Sequence, residues 1–561
     1  MSAAIVGRGR PVRAHGVGGR PWVWAAAAVL PLAFLGVFFA WPVAALVSRG
    51  FSDADGFSLA GVQSVLAAPR TWRIVGQTLA QAVAGTALAL ALGLPGAYLL
   101  HRCRFPGRRL VRALVSIPFV LPTVVVGVAF QSLLAAHGPL GFLGLEESFT
   151  AIVAALVFFN YSVVVRTVGA LWSRLDPRAA DAARSLGAGR ARVLLTVTLP
   201  ALAPAVASAA ALVFLFCASA FGVVLVLGGA TWGTIETEIW YQTTQLLDLP
   251  AAAALSVLQL VVVTASLLVA GATRARQERA LHLLGDPADA PLRAADAPAV
   301  VVTAVVVLGL LVTPMASLAW RSFLTPDGFG LGNYAALGGN AGQFTVSIWQ
   351  ALANSVLTAL AATGLAVGLG LLVSYLLSRR PASAAGRRTL RTLDAVFMLP
   401  LGVSAVTVGF GFLITLNRPP LDLRSSWLLI PIAQAMVALP LVVRTLLPIL
   451  RAIDPRLHEA AATLGATPAR VLASIDVPFA LRGLGLALGF AFATSLGEFG
   501  ATSFLARPDR PTLPVAIFRL IGRPGAENFG AAMAASVVLA VLTGAVMALA
   551  ELVGPKEVNP W

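Results

Sequence analysis

The sequence predicts an all-α integral membrane protein of about twelve transmembrane helices, arranged as two parallel six-helix repeats. Of its 561 residues, 58% are hydrophobic and only 11% are charged, whereas a soluble domain carries about 25% charged residues. Apolar segments recur at the length that a bilayer requires, about 20 residues per helix. The second half of the chain also repeats the motifs of the first half at a regular spacing, which is the mark of a duplicated architecture.

The predicted spans fall into two groups on either side of a charged, proline-containing segment. The first group is 22–47, 74–100, 110–135, 149–172, 202–228 and 251–272. The second group is 298–320, 350–377, 390–415, 427–450, 480–505 and 529–552. We therefore predict a first half at 1–272, a cytoplasmic linker at 273–297 and a second half at 298–561. Because each half has an even number of spans, both halves enter from the same side and the repeat is parallel.

Arginine placement sets the predicted orientation, because cytoplasmic loops are enriched in basic residues. Arginines cluster before the first span and in the loops after the second, fourth, eighth and tenth spans, which share one side if the spans alternate. We predict that this side and both termini are cytoplasmic. The loop 506–528 departs from the pattern, because it carries four arginines on the predicted outer side.

Charge and residue usage exclude several functions. The net charge of +16 comes from arginine clusters between apolar segments, which suit the lipid bilayer rather than nucleic acid. Lys556 is the only lysine and lacks the glycine-rich context of a phosphate-binding loop, so if ATP drives this protein, a separate partner subunit binds and hydrolyses it. Cys103 and Cys217 have no metal-ligand or disulfide spacing. We predict no cofactor, no metal and no catalytic residues in this chain.

The repeat is clearest in two loops, at 176–200 and 454–478, which we call the first bracket and the second bracket. Each contains an acid, two alanines, a glycine and a proline at identical spacing. The first copy is Asp181, Ala182, Ala183, Gly187 and Pro200, and the second is Glu459, Ala460, Ala461, Gly465 and Pro478. The offset of 278 residues between the copies also pairs Pro122 with Pro400 and Phe221 with Phe499.

The physical chemistry of each bracket predicts a helix–turn–helix. The Asp-Pro pairs at 176–177 and 454–455 suit a helix start, with Asp as the cap and Pro in the first turn. Alanine favours the helix that follows, and glycine ends it because glycine adopts the left-handed conformation at little cost. A second helical segment should follow, and Pro200 or Pro478 should precede re-entry into the membrane. Such a bracket would transmit a push from a partner on the cytoplasmic face.

These paired motifs resemble the EAA loop of binding-protein-dependent ABC import permeases, and the fold resembles their type I architecture. The resemblance implies that each bracket docks on an ATPase subunit, giving two ATPase copies, and that an extracytoplasmic solute-binding protein delivers the solute. Fused halves are typical of the ferric-iron and thiamine branch, to which segments such as Arg104-Phe105-Pro106-Gly107-Arg108 are also similar. The implied function is a translocation path for a small solute in the inner membrane of a bacterium, without enzyme activity in this chain. The resemblance favours ferric iron or thiamine as the solute, and another cation or a small organic anion remains open.

Glu498 is the clearest acid within an apolar segment, and such residues are often functional. It is a candidate for the translocation path, where it would meet a cationic solute; equally, it pairs with Ser495 or a backbone group and serves helix packing. Asn160 and Gln259 are weaker path candidates. The alternative function is a twelve-helix ion-coupled secondary transporter, which needs more ionisable groups inside the membrane than this chain offers.

Overall fold

The computed structural model describes residues 21–53, 56–277, 290–339, 346–379, 383–419 and 421–553. Within these ranges, ten helices are long and apolar enough to cross a membrane, or eleven if one bent pair counts as a crossing. The all-α membrane fold is therefore confirmed, with fewer continuous spans than the sequence predicts. The arginines before residue 21, both chain termini and the centre of the predicted linker lie outside the described residues.

The helices of the first half follow the predicted order with additional short elements. They are α1 (Pro21–Leu35), α2 (Trp41–Gly50), α3 (Ala60–Ala67), α4 (Pro69–Arg102), α5 (Arg108–Ser116), α6 (Thr123–Leu134), α7 (Phe149–Arg174), α8 (Arg178–Ser185), α9 (Arg190–Val193), α10 (Leu199–Ala218), α11 (Gly222–Leu227), α12 (Ile235–Thr244) and α13 (Leu249–Gln277). The π-helical turn Gly36–Ala40 joins α1 to α2, and Leu194–Thr198 joins α9 to α10.

The second half repeats this order. Its helices are α14 (Ala297–Val305), α15 (Thr313–Ser322), α16 (Gly332–Ala336), α17 (Ile348–Leu377), α18 (Ala384–Met398), α19 (Ala405–Thr415), α20 (Leu429–Arg451), α21 (Pro455–Thr463), α22 (Pro468–Val471), α23 (Val477–Leu496), α24 (Thr502–Leu505), α25 (Leu513–Ile521) and α26 (Ala526–Val553). The π-helical turn Val306–Val312 joins α14 to α15, and Leu472–Asp476 joins α22 to α23.

Short strands connect some of these helices. Three antiparallel pairs are β1 (Ser52–Asp53) with β2 (Gly56–Phe57), β5 (Leu324–Thr325) with β6 (Gly328–Phe329), and β7 (Asn417–Arg418) with β8 (Leu421–Asp422). One parallel pair, β3 (Cys103–Arg104) with β4 (Ala290–Pro291), fastens the end of the linker to the loop after α4. The Tyr98 hydroxyl donates to Asp296 Oδ1 at 3.0 Å and strengthens that attachment.

The predicted continuous spans 110–135 and 390–415 are wrong. In the first half, α5 with its following 3₁₀ turn meets α6 at an angle of 105°, and Pro122 caps α6. In the second half, the 3₁₀ turn Leu399–Gly402 separates α18 from α19, which has only 11 residues. Proline removes a backbone donor and clashes with the preceding turn, so an apolar run that contains it does not have to form one helix.

The predicted spans 202–228 and 480–505 also end early. Helix α10 stops at Ala218 and α23 stops at Leu496, and the short helices α11 and α24 follow. We call residues 218–222 the first break and residues 496–502 the second break. They lie at equivalent positions of the two halves, each at the end of a span that starts at a bracket.

The two halves are not related by one constant offset. Gly127 is the fifth residue of α6 and faces Val226 of α11; Gly409 is the fifth residue of α19 and faces Ala501 in the second break. These glycines differ by 282 residues, and the same offset places Pro118 opposite Pro400 in the two 3₁₀ turns. The predicted pairing of Pro122 with Pro400 is therefore wrong.

Each half is built on one closely packed helix pair, α4 with α7 and α17 with α20. A Cβ atom added at Gly93 would lie 2.7 Å from Val164 Cγ1, and one added at Gly370 would lie 2.5 Å from Val442 Cγ1. Both distances are below van der Waals contact, so the helices approach as closely as their backbones allow. Small residues at such crossings provide the packing that holds helices together in lipid.

The first helix of each half packs against the other half. Phe38 lies 6.2 Å from Phe412 of α19 between ring centroids, and Ala28, Phe34 and Leu35 of α1 belong to one buried apolar cluster with residues of α17 and α20. In return, Ser317 Oγ of α15 lies 3.4 Å from Ser132 Oγ of α6, and Arg321 donates to the Ser132 carbonyl oxygen at 2.6 Å. The two halves predicted from the sequence are therefore joined, because the first helix of each half packs against the other half.

The arginine-rich loop 506–528 has local structural partners. Arg507 makes two hydrogen bonds to the Asp509 carboxylate, at 2.9 and 3.0 Å, and a third to the Ser425 carbonyl oxygen at 3.0 Å. Arg519 lies half-buried on α25. At least two of the four arginines therefore contribute to packing rather than to orientation in the membrane.

Replacing Gly370 with valine should destabilise the protein, because the new side chain would overlap Val442. Overpacking of this kind costs about 1–3 kcal/mol, and the midpoint of thermal unfolding in detergent should fall accordingly. Gly368→Val is the matched control, because it lies two residues away on the same helix and a Cβ there meets nothing within 4 Å. Equal midpoints for the two variants would contradict the close packing of α17 on α20.

Expression of the halves as separate polypeptides tests the helix exchange. With the chain cut within residues 278–289, the two fragments should purify together when they are produced together. Each fragment alone should give much less monodisperse protein by size-exclusion chromatography, because its first helix lacks its packing partner. A single half that is as monodisperse as the pair would contradict the exchange.

Candidate functional site: two brackets and the interface between the halves

Both brackets begin with the same aspartate cap. Asp176 Oδ1 accepts from the Arg178 backbone N–H at 2.9 Å, and Asp454 Oδ1 accepts from the Arg456 N–H at 2.9 Å. Proline follows each aspartate, where its missing N–H costs nothing. Helix α21 therefore starts as predicted, with Asp454 as its cap and Pro455 in its first turn, whereas α8 starts one residue later than predicted, at Arg178 after Pro177.

Both first helices end at the predicted glycine. Gly187 has φ +85° and Gly465 has φ +74°, a left-handed conformation that favours glycine. The Ala188 N–H then donates to the Ala183 carbonyl oxygen at 3.0 Å, as the Ala466 N–H does to Ala461. This bond closes the helix end and fixes the direction in which the chain leaves it, so the two turns have the same geometry.

The outer surface of each bracket is open. Asp181, Ala182, Glu459 and Ala460 are exposed, while Ala183 and Ala461 are half-buried against the turn. A leucine precedes each glycine, and these two side chains are among the most exposed in the protein: Leu186 is 90% exposed and Leu464 is 86% exposed. Two equivalent apolar side chains displayed in this way are typical of a surface that a partner covers.

The second arm of each bracket differs from the prediction. The chain does not form a separate helix followed by Pro200 or Pro478 and re-entry. Instead, residues Arg190–Ala218 and Ala469–Leu496 are continuous helical spans, and each proline lies in the first turn of α10 or α23, next to a π-helical turn. The continuity has a mechanical consequence, because one rod joins each bracket to the break at its other end.

Only the second bracket is held by a buried carboxylate in the described ranges. Asp476 is buried, and its two oxygens lie 2.8 Å from His458 Nε2 and 3.4 Å from an Arg379 nitrogen. Arg379 in turn lies over the ring of Tyr375, 4.1 Å from its centre. The residue equivalent to Asp476 in the first bracket is Thr198, so this attachment to the end of α17 is a property of one half.

Aromatic side chains meet where the two breaks face each other. Phe221 stacks on Phe499 with 5.4 Å between ring centroids. Phe518 lies 5.3 Å from Phe499 and 5.7 Å from Trp240 by the same measure. A Cβ added at Gly497 would lie 3.1 Å from Pro122 Cγ. The breaks, α12, α25 and the start of α6 therefore form the interface between the halves.

Glu498 lies in the second break and is buried. Its carboxylate accepts the N–H groups of Ala501 at 2.7 Å and Thr502 at 3.0 Å, and it therefore caps α24. Ser495 Oγ is not its partner, since that buried hydroxyl has no hydrogen bond among the described residues. Of the two packing partners considered from the sequence, the backbone is the one observed.

Asn160 is buried on α7, inside the first half. Its amide donates to the Leu156 carbonyl oxygen at 2.8 Å and lies 3.5 Å from Cys217 Sγ of α10. It shares no hydrogen-bonding partner with Glu498. The structure thus places the two predicted path residues in different polar groups, one within a half and one at the interface.

Glu236 is the residue that sequence reasoning missed. It lies between the predicted spans 202–228 and 251–272, but it is fully buried on α12, where Gln259 Nε2 donates to Oε1 at 2.8 Å and Ser404 Oγ donates to Oε2 at 2.7 Å. The sequence carries one signal of this helix, because Thr234 precedes Ile235 and caps α12. With 10 residues, two of them glutamates, α12 is too short and too polar to be predicted as a membrane span.

Comparison with known proteins agrees with this architecture. Residues 89–278 match the family described as binding-protein-dependent transport system inner membrane component. The chain is 28% identical over 496 residues to a thiamine transport system permease protein of Brucella abortus strain 2308, covering 86% of this chain and 87% of that protein. It is 33% identical over 256 residues to a sulfate transport system permease protein of Salmonella typhimurium, covering 44% of this chain and 90% of that protein.

One solved structure is similar in part. It is a chain from the crystal structure of a bacterial ABC transporter involved in the import of the acidic polysaccharide alginate. The match has a TM-score of 0.42 at 17% identity and covers 46% of this chain and 97% of that chain.

Replacing Asp476 with asparagine should loosen the second bracket. The buried acceptor would lose its charge toward Arg379 and His458, and hydrogen bonds to charged groups are worth about 1.5–3 kcal/mol. Amide hydrogen exchange should therefore accelerate by about ten- to a hundredfold across α21 and α22. The first bracket provides the internal control, since exchange in α8 and α9 should not change. Unaltered exchange in α21 would contradict the attachment.

Proposed function

The chain belongs to the family of binding-protein-dependent ABC import permeases, and from this premise we propose that each bracket receives one ATPase subunit while the interface between the halves is the path of thiamine. The chain is a transport permease of an ATP-driven importer and not an enzyme. Because the chain belongs to this family, transport is driven by ATP, and the alternative of an ion-coupled secondary transporter is set aside. The observation that supports the coupling role best is the identical geometry of the two exposed brackets.

Several features of the brackets support docking of an ATPase. Their acid and alanine residues are exposed, their turns are fixed by Gly187 and Gly465, and the exposed Leu186 and Leu464 offer apolar side chains for a cleft to bury. Two equivalent brackets suit two copies of one subunit related by a two-fold axis. The lateral attachment through Asp476 would make the second bracket the stiffer of the two.

Two helical spans connect the brackets mechanically to the interface between the halves. The span Arg190–Ala218 has 29 residues and Ala469–Leu496 has 28, which corresponds to about 40 Å of helix. Each starts in a bracket and ends at a break beside Phe221 or Phe499. Closure of two ATPase subunits would therefore move the breaks relative to each other and alternate the access of the path, as rigid-body motion of halves does in other transporters.

Orientation and partners follow from the same proposal. The brackets, the arginine clusters and the linker would face the bacterial cytoplasm, and an extracytoplasmic solute-binding protein would dock on the opposite face. Arg102 donates to the Leu175 carbonyl oxygen at 3.2 Å, and Arg451 does so to Leu377 at 3.3 Å, which supports a common side for arginine clusters and brackets. Both termini are proposed to be cytoplasmic.

Thiamine is proposed as the solute because the thiamine permease of Brucella abortus is similar over both halves, whereas the sulfate permease is similar over less than half of the chain. Ferric iron rests only on the resemblance of sequence motifs. Glu498, at the interface, is proposed to line the path. Asn160 is proposed for the same role with less support, because its partners belong to one half.

Replacement of both Leu186 and Leu464 with aspartate tests the docking of the ATPase. A carboxylate buried without a partner costs several kcal/mol, so the double variant should recover at least tenfold less ATPase on purification and take up thiamine at least tenfold more slowly. Leu331→Asp is the control, because Leu331 is 66% exposed but lies outside the brackets. Normal ATPase recovery with the double variant would refute docking at these leucines.

A second pair of substitutions separates docking from shape. Gly187→Val with Gly465→Val places β-branched residues at positive φ, which strains each turn without filling any occupied space, since a Cβ there meets nothing within 4 Å. The protein should still reach the membrane, but uptake should be lost.

A further inference from the structure

Glu236 joins the two halves through neutral partners. The carboxylate is fully buried and belongs to the first half, as does Gln259, which donates to Oε1. Ser404, which donates to Oε2, belongs to the second half and caps α19. The hydrogen bond between Ser404 and Glu236 therefore crosses the interface that must open during transport.

The surroundings of Glu236 lack a balancing positive charge in the described ranges. Its hydrogen-bonding partners are an amide and a hydroxyl, whereas Glu238, two residues later, pairs with Arg70 at 2.9 Å. A buried carboxylate without a cation is costly, and such residues in membrane proteins mark functional sites. Glu236 is not part of the internal repeat, because the equivalent residue in the second half is Pro514.

An unsatisfied polar atom belongs to a partner of this carboxylate. Gln259 is 1% exposed; its amide nitrogen donates a hydrogen bond to Glu236, but its amide oxygen Oε1 has no hydrogen-bond partner among the described residues. Buried polar atoms are nearly always paired, so this oxygen is available to bind a group in another state of the protein.

A second carboxylate lies near the start of α19. A Cβ added at Gly500 would lie 3.3 Å from Glu498 Oε1 and 2.9 Å from Ala405 Cβ, in the first turn of α19. Glu236, through Ser404, and Glu498, through Gly500, are thus both close to the start of α19, and the N–H groups at a helix start carry partial positive charge. The stacked rings of Phe221 and Phe499 belong to the same interface.

We infer that Glu236 and Glu498 form the recognition site for a heteroaromatic organic cation within the path. When the halves separate, Ser404 moves away with the second half and Glu236 Oε2 becomes available to the cation. Phe221, Phe499, Phe518 and Trp240 supply ring faces, which attract both cations and planar ring systems. Inorganic anions are repelled by the two carboxylates. This inference rests on the proposed function. It identifies the residues of the path that would distinguish a cationic solute from an anionic one.

The test uses the complete importer, with permease, ATPase and binding protein, in cells that lack other thiamine uptake. Initial rates of radiolabelled thiamine uptake are measured over a range of concentrations, and ATP hydrolysis stimulated by loaded binding protein is measured in proteoliposomes. Glu236→Gln should lower uptake at least tenfold while stimulated hydrolysis stays within about twofold of wild type. Glu236→Asp, which keeps the charge, should retain more uptake than Glu236→Gln.

Two further variants separate charge from structure. Ser404→Ala removes the hydrogen bond across the interface but leaves the carboxylate, so uptake should stay within about twofold of wild type. Asp248→Asn is the control, because Asp248 is an exposed helix cap whose function asparagine retains. If Ser404→Ala were as damaging as Glu236→Gln, Glu236 would be a structural clasp and the inference would be overturned.

The outcomes also distinguish this inference from the proposed function. Thiamine uptake by wild type and equally by Glu236→Gln would overturn the recognition site alone. Failure of wild type to take up thiamine, together with uptake of sulfate, would overturn both the solute and the recognition site. Loss of stimulated ATP hydrolysis in Glu236→Gln, restored together with uptake in Glu236→Asp, would also contradict recognition, because coupling rather than the solute would then depend on the charge.

Discussion

A membrane interior supplies no water to an interrupted helix, so every break in this chain needs hydrogen bonds from within the protein. Gln259 donates to the Ala218 carbonyl oxygen at the first break, and Glu498 accepts the N–H groups that the second break leaves open. At the following short helices, Thr78 accepts from the Ile235 N–H, and Ser355 accepts from the Leu513 N–H. These polar side chains of the interface are needed by the interrupted backbone, and under the proposed function the same groups would line the path of the solute.

This requirement links the interface to the brackets. A continuous helix transmits displacement along its axis, whereas a break allows its two sides to move independently. The chain keeps α10 and α23 continuous with the bracket at one end and interrupts them at the other. Under the proposed function, movement of a bracket would therefore reach the interface between the halves, and the hydrogen bonds of the breaks would determine how much of the movement the interface absorbs.

The brackets could be predicted from sequence because their structure is local. Asp176, Gly187 and their equivalents act on backbone within a few residues, so spacing alone carries the information. The break between α5 and α6 was missed because hydropathy does not report where Pro118 and Pro122 turn the chain. The packing of Phe38 on Phe412 depends on residues that are far apart in the sequence, and nothing in either apolar run identifies its partner. The burial of Glu236 could not be predicted, because α12 has only 10 residues and has the length of a loop between two spans.

Fusion has let the halves diverge where a pair of identical subunits would stay alike. Asp476, Glu236 and Glu498 have Thr198, Pro514 and Ala220 as their equivalents. Each acid thus occurs once, at a position that a symmetric assembly would present twice.

The exchange of first helices has a consequence for biosynthesis. Helix α1 leaves the ribosome long before α17 and α19 exist, since roughly 300 residues separate them, which at about 5–20 residues per second is about 15–60 s. During that interval its future contact surface faces acyl chains. Lipid solvates apolar side chains as well as protein does, so the nascent first half remains stable in the membrane without aggregating. Final assembly is delayed until most of the polypeptide has been translated.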